Sequence, residues 1–321
     1  MIATIIWIIF FFIGYSIIFF AADVFLDNLK DICIIYGISP FIIGILIIGI
    51  DPEESIASIV AAINGLQYLA VGNVIGNSIL AICISFGIPA FFRQIKFKSY
   101  PQFYFSLIYG CIFLIFIGIL INFGFLIIGF LVIIIYFFYI IRSTKIISKR
   151  NIIKDDLVKD YKKQNKIRPN LDVKSKIKKL ILIIFSFFLI IFGGEVLIYS
   201  TERILLKTNI SETFFGLVII AFVTNVEELT LVIKSIKKKS VELGFGGMVG
   251  KIIWNLTITF GVSAVIIINF SFVWIILWNL LLLFIIMLYF NWASRKELIE
   301  WKDGIIFSVL LIIFLILNFI S

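Results

Sequence analysis

The chain has 321 residues, 62% of them hydrophobic and 15% charged, and a net charge of +9. Soluble domains are nearer half apolar and a quarter charged, so this balance excludes a water-soluble globule. The chain holds no histidine, which excludes His-rich zinc sites and imidazole acid–base catalysis. Cys33, Cys83 and Cys111 stand apart in apolar stretches with no CxxC, so they read as small buried hydrophobes rather than a disulfide framework.

Taken in chain order, the apolar blocks predict spans at 2–26, 34–62, 68–92, 102–121, 124–142, 177–206, 209–236, 241–267, 270–291 and 302–320. Phe103–Leu120 and Phe125–Ile141 carry no charge at all, and each is long enough to cross a hydrocarbon core of ~30 Å. The first block lacks a basic leader and a small-residue cleavage site, so it reads as a retained span. The stretch 143–176 is polar and basic. It divides a first set of five spans (1–142) from a second (177–321).

The positive charge follows topology rather than a nucleic-acid surface. Lys30, Arg93, Lys96, Lys98, the central stretch, Lys234, Lys237, Lys238, Lys239, Arg295, Lys296 and Lys302 fall on one side, and only Arg203 and Lys207 on the other. The positive-inside rule then makes the central loop cytoplasmic and puts both termini outside a cell membrane. The basic loop also suits contact with anionic lipid. The aromatic content reads as lipid-facing and interfacial surface.

Five spans is an odd number, so the second half is expected upside down relative to the first. The halves match in sequence. Asp23–Gly44 (DVFLDNLKDICIIYGISPFIIG) and Glu195–Gly216 (EVLIYSTERILLKTNISETFFG) share an acid, an Ile-Ser pair and a Gly at equal spacing. Glu54 precedes Gly72, Gly76 and Gly87 by the same steps that Glu228 precedes Gly246, Gly250 and Gly261. Inverted repeats of this kind are a plan of secondary transporters. The expected fold is an all-α polytopic membrane protein of ten transmembrane helices. They form two inverted-topology five-helix repeats with broken helices at the centre.

The acids carry the chemistry. Asp51, Glu53 and Glu54 stand in an apolar span beside Pro52, which cannot donate a backbone hydrogen bond and disfavours helix before it. Glu227 and Glu228 occupy the matching place in the second half. A charge at mid-membrane costs ~2.5 kcal/mol or more, so these acids need a cation, a proton or a basic partner. Adjacent acids cannot face one way on a helix. Glu54 and Glu228 are therefore expected to point at a shared centre, with Asp51 joining from i−3, while Glu53 and Glu227 line an access path or lie near an interface. Thr224, Asn225, Asn73, Asn77 and Asn255 add neutral polar groups, and carboxylates with such oxygens suit Ca²⁺, Mg²⁺ or Na⁺. Gly72, Gly76, Gly246 and Gly250 give smooth faces for close helix packing. Asp23 and Glu195 are expected at helix ends or gates.

The two acid-bearing segments, with Gly72-Asn73-Val74-Ile75-Gly76-Asn77 and its counterpart Gly246-Gly247-Met248-Val249-Gly250-Lys251, resemble the paired alpha-repeats of the cation/calcium exchanger superfamily, which includes sodium/calcium exchangers. That family's motifs run roughly G-[ST]-S-x-P-E and G-N-x-x-G-S-N, and the resemblance covers nearly the whole chain. It implies exchange of Ca²⁺ or a related cation for Na⁺, H⁺ or K⁺ by alternating access. The family's essential acids fall on Glu54 and Glu228, and its Thr-Ser pair on Thr224 and Asn225. The Pro-Glu step alone would select Glu53, while the spacing to Gly72 selects Glu54. Lys251 and Asn77 stand where the motif has Ser, and Ala81 and Asn255 where Asn or Asp is usual.

Lys251 falls inside a span, about one helix-width from Glu228. Its ammonium is expected to occupy a cation subsite and pair with Glu228 or Glu54; snorkelling or a structural salt bridge is the competing account. The functional expectation is a secondary active cation antiporter that binds inorganic cations, Ca²⁺ foremost with Na⁺ or H⁺ as counter-ion, and no resident cofactor. The alternative is an exchanger-fold protein that no longer transports and acts as a sensor or scaffold. A channel fits broken inverted repeats less well. An intramembrane enzyme is disfavoured, because neither a His-activated nucleophile nor a second central Asp is present.

Overall fold

Apolar side chains surround most helices of this chain, so what distinguishes core from periphery is small and polar residues rather than hydrophobicity. The computed structural model describes residues 2–35, 50–96, 101–121, 124–150, 173–237, 241–267 and 270–320. In order they form α1 (Ile2–Ile35), α2 (Pro52–Ile63), α3 (Gln67–Phe92), β1 (Ile95–Lys96), α4 (Gln102–Leu120), α5 (Phe125–Arg150) and α6 (Val173–Leu205). The second half continues with α7 (212–224), α8 (Val226–Lys237), α9 (241–266), α10 (Trp274–Arg295), β2 (Leu298–Ile299) and α11 (Trp301–Ile320). Phe215–Ile220 in α7 and Asn255–Thr259 in α9 are π-helical.

Among the described residues nine helical stretches are long and apolar enough to cross a membrane. The remaining expected span, 34–62, is represented by α2, because 36–49 lie outside the described residues. The chain is thus an all-helical, multi-pass membrane protein. Its helix ends differ from the expected span ends. The helix of the first span continues to Ile35, that of the fifth to Arg150, and the sixth begins at Val173. Hydropathy marks where the apolar surface stops, but Asp, Lys, Arg and Asn continue a helix well enough when no Gly or Pro intervenes. Asp23 and Glu195 depart from the helix-end half of their expectation for the same reason: both are exposed in the interior of long helices.

The inversion of the repeats is visible in α1 and α6, the first helices of the two halves, which pack antiparallel along their length. Trp7 meets Tyr199 edge-on, Phe25 meets Phe187, and Asp31 pairs with Lys179 at the far end. At the crossing the backbones nearly touch: a Cβ on Gly14 would lie 2.6 Å from the Leu197 nitrogen. The fifth span of each half packs on the third span of the other. Gly87 of α3 lies against Gly304 and Phe307 of α11, and Gly261 of α9 lies against Gly129 of α5. These two contacts stand at equivalent places, as the spacing from Glu54 and Glu228 requires. Strands β1 and β2 tie the ends of α3 and α10 together, with Ile95 opposite Ile299.

Buried at the middle is α3, covered from Leu69 to Gly87. Its Gly72–Gly76 face lies on the π-helical segment of α7. A Cβ on Gly76 would stand 1.9 Å from the Leu217 carbonyl oxygen, and one on Gly216 would stand 2.5 Å from that of Leu69. In the second half Gly250 is buried and Gly246 half-buried. Glu212, which opens α7, accepts hydrogen bonds from the amides of Tyr68 (2.7 Å) and Leu69 (2.9 Å), so a carboxylate of one repeat caps a helix of the other. The outward faces of α1, α5, α6 and α11 present large apolar side chains such as Phe20, Phe137, Phe188 and Phe319. Cys83 and Cys111 are buried free thiols, and the Cys33 side chain lies outside the described set.

Because backbone, not a flexible side chain, opposes Gly76, Gly76→Ala should destabilise the protein by about 2 kcal/mol, in the range of overpacked cores. Gly110, which has nothing within 4 Å of its Cβ position, is the control. Melting of the detergent-solubilised variants checks this, with Gly110→Ala expected to melt like the parent.

Candidate functional site

Two helix breaks build the centre. Asp51 is extended (φ −118°, ψ 94°) and caps α2, its Oδ1 accepting from the Glu54 amide at 3.0 Å, with Pro52 in the first helical position. Asn225 forms the turn between α7 and α8 (φ −81°, ψ 0°). Glu54 is the third residue of α2 and Glu228 the third of α8. Each acid therefore stands one turn into a helix that starts inside the protein. There the unpaired amides and the positive end of the helix dipole favour anions.

Into this space α9 delivers Lys251. Its Nζ lies 2.8 Å from Asp51 Oδ2 and 2.5 Å from Glu54 Oε1, and it also bonds Glu228 Oε1. Lys251 is 3% exposed, Glu54 1% and Glu228 5%. An ammonium has three N–H donors, and here three carboxylates stand within ion-pair distance of it, with Glu228 accepting a hydrogen bond. The contact is closer and broader than the expected single pairing across a helix-width. It also excludes snorkelling, since the charge ends among acids and not at an interface.

Around this cluster the neutral groups form two networks. Asn255 donates to Glu54 Oε2 at 2.5 Å. Ser55 Oγ sits between the Trp254 indole N–H (2.7 Å), the Thr259 hydroxyl (2.7 Å) and the Asp51 carbonyl oxygen (2.7 Å). Asn73 donates to Ser58 Oγ at 2.8 Å and to the Glu54 carbonyl oxygen at 3.3 Å. At the second break, Asn77 donates to Thr224 Oγ1 (2.7 Å), and Asn225 donates to Asn77 Oδ1 (2.6 Å) and the Ala221 carbonyl oxygen (2.7 Å).

Of the residues singled out from the sequence, Asp51, Glu54, Glu228, Lys251 and Asn255 converge on one point. Thr224, Asn225 and Asn77 bond one another where α7 gives way to α8. Glu53 is buried, and the Glu227 side chain lies outside the described set. Ser55, Trp254 and Thr259 were not anticipated. Thr259 follows Asn255 by four residues, so it shares its helix face, and that spacing was the available signal. Four buried oxygens around the site, Glu54 Oε1 (which faces the Lys251 ammonium), Glu228 Oε2, Asn225 Oδ1 and Asn73 Oδ1, have no hydrogen-bond partner. Single carboxylate oxygens of Asp51, Glu54 and Glu228 lie within 4.8 Å of one another, close enough to share one metal ion.

A multi-pass helical protein with carboxylates of both repeats gathered at central helix breaks is of the transporter class. The chain belongs to the sodium/calcium exchanger family, whose model matches residues 6–145 and 178–320. It is 27% identical over 270 residues to CaxA of Alkalimonas amylolytica, covering 80% of each chain. It is 23% identical over 243 residues to the membrane protein MJ0091 of Methanocaldococcus jannaschii, covering 75% of this chain and 76% of the other. Among solved structures it superposes on an H⁺/Ca²⁺ exchanger CAX with a TM-score of 0.75 at 16% identity, over 98% of this chain and 84% of that one. On the sodium-calcium exchanger NCX_Mj it superposes with a TM-score of 0.60 at 19% identity, over 97% of both. At these identities the likeness is one of fold.

Replacing Asn255 with Leu removes the donor to Glu54 Oε2 at nearly unchanged volume. Leaving a buried acceptor without its donor costs about 1–3 kcal/mol, and more where the acceptor is charged. The variant should melt below the parent in detergent by a corresponding margin.

Proposed function

We propose that the chain is a secondary active antiporter that moves Ca²⁺ or a related divalent cation against Na⁺ or H⁺ by alternating access. The observation that carries this is the convergence of Asp51 and Glu54 from one repeat with Glu228 from the other at two helix breaks. Hard carboxylate oxygens at that separation suit a divalent ion, and Glu228 Oε2 and Asn225 Oδ1 add unspent buried acceptors. A site formed between inverted repeats is exposed to either side when one repeat rocks against the other. The fold relatives NCX_Mj and CAX are described as sodium-calcium and H⁺/Ca²⁺ exchangers, which supports a Ca²⁺-class cargo. In this reading residues 1–142 and 177–321 are the two repeats, and 143–176 form a basic cytoplasmic loop against anionic lipid, with both termini outside.

A second reading has its own observation. Lys251 engages all three carboxylates at once, as a permanent plug would in an exchanger fold kept as a sensor or scaffold.

Purified protein in proteoliposomes decides between them. Ca²⁺ and Mg²⁺ uptake is measured under imposed Na⁺ and H⁺ gradients. Glu54→Gln and Glu228→Gln should each lower the flux at least ~tenfold, the loss of about 1.4 kcal/mol of cation stabilisation. Robust flux unaffected by both substitutions would refute the central-site model. No flux from any gradient would favour the plug.

A further inference from the structure

The centres of the two halves correspond residue by residue. Asp51 and Asn225 each stand three residues before a glutamate and immediately before an inner helix, α2 or α8. The carbonyl oxygen of each accepts from the amide four residues on, Ser55 at 3.2 Å and Leu229 at 3.4 Å. Asn77 and Lys251 each follow the second glycine of the third-span motif. Across these helix starts and glycine motifs the halves differ in charge at two places: Asp51 against Asn225, and Lys251 against Asn77. The two differences are opposite in sign.

The fold brings these places together, and does so twice. At one joint Lys251 of the second repeat lies 2.8 Å from the Asp51 carboxylate of the first. At the other, Asn225 of the second repeat donates to the Asn77 side-chain oxygen of the first at 2.6 Å. Each joint links a third span to the residue that opens the inner helix of the opposite repeat. One is ionic and the other is a pair of neutral amides.

We infer that Asp51 and Lys251 are one charge-compensating pair, the ionic form of the Asn77–Asn225 joint, so that the acids left to meet a mobile cation are Glu54 and Glu228, one from each repeat. The inference rests on the antiporter reading of this site and narrows its ligand set. Lys251 also touches both glutamates. Among the described residues, however, the Asn77 amide bonds Thr224 and Asn225, so the contact common to both joints is the one to the helix-opening residue. Charge balance gives the pair its purpose. Three carboxylates and one ammonium carry a formal charge of −2, the same as two glutamates alone. Removing either member of the pair shifts that balance by one. Replacing a buried ion pair as a whole with neutral groups is often tolerated, whereas breaking it by removing one partner is not.

The test is Ca²⁺ uptake by the whole chain in proteoliposomes, per folded protein, under whichever of the Na⁺ and H⁺ gradients drives the parent. Asp51→Asn, Lys251→Gln and the two together are compared. Asp51→Asn keeps the helix cap, since both residues cap well, and Lys251→Gln keeps a donor. Each single substitution should lower uptake about fivefold or more, a coupling of the size found between side chains in contact, and the double variant should recover most of that loss. Lys251→Gln combined with Glu54→Gln or with Glu228→Gln should recover none of it. A double variant as impaired as the worse single would overturn the inference. So would single variants that both transport like the parent, or recovery with Glu54→Gln or Glu228→Gln instead. The antiporter reading would survive the first two of these results. Absence of Ca²⁺ uptake in every protein, the parent included, would remove that reading, and melting in detergent would then judge the pair. Lys251→Gln should melt below the parent and the double variant above Lys251→Gln. A double variant that melts no higher than Lys251→Gln, or that folds no better, would overturn the inference.

Discussion

One ammonium among three carboxylates sets the terms for the rest of the molecule. A lone charge in the bilayer is expensive, and removing one partner from a buried ion cluster is worse than never having it. Lys251 therefore cannot be considered apart from Asp51, Glu54 and Glu228. Holding them together requires helices that begin in the middle of the membrane. That is what Pro52 and the Asp51 cap provide in one repeat and the Asn225 turn in the other. Broken helices expose backbone groups, and in lipid those groups must be answered within the protein. The Ser55–Trp254–Thr259 and Asn77–Thr224–Asn225 bonds lie at these two breaks.

The repeats are equivalent in plan and unequal in chemistry. Both place Glu at the third position of an internal helix. The first adds Asp51 as a further acid. The second adds Lys251, and its α7 and α9 carry π-helical turns; α3, the counterpart of α9, is α-helical from Gln67 to Phe92. Such turns are often found at functional sites. Here one of them receives the Gly72–Gly76 face of α3 and the other carries Asn255 and Thr259. An inverted pair that started symmetric would present the same side chains from both halves; this one presents different ones.

Much of this was legible beforehand, for identifiable reasons. Span positions follow from long uncharged runs, and the pairing of Glu54 with Glu228 follows from three glycines at matched distances. The helix ends were misjudged because Asn28, Lys30 and Asp31 stop an apolar surface without stopping a helix. The place of Lys251 inside a span near Glu228 is legible from spacing, but its contact with all three acids depends on how α9 crosses α2, and no local pattern encodes that. Ser55 and Thr259 left little trace, since a hydroxyl in a helix satisfies itself locally as readily as it reaches across. The first half of the second span, 36–49, lies outside the described residues.

The exchanged packing of the fifth spans bears on how the protein is made. Gly87 in α3 finds Gly304 and Phe307 only when α11 has left the ribosome. The first repeat cannot complete its own centre while the second is still being synthesised. Its acids must wait in the membrane for Lys251 and its third helix for α11. Insertion of the earlier spans and assembly of the core are therefore separate events in time, with the core closing only once α11 has been made. A chain cut short just before α11 would keep nearly every described span and still deny the first half its fold.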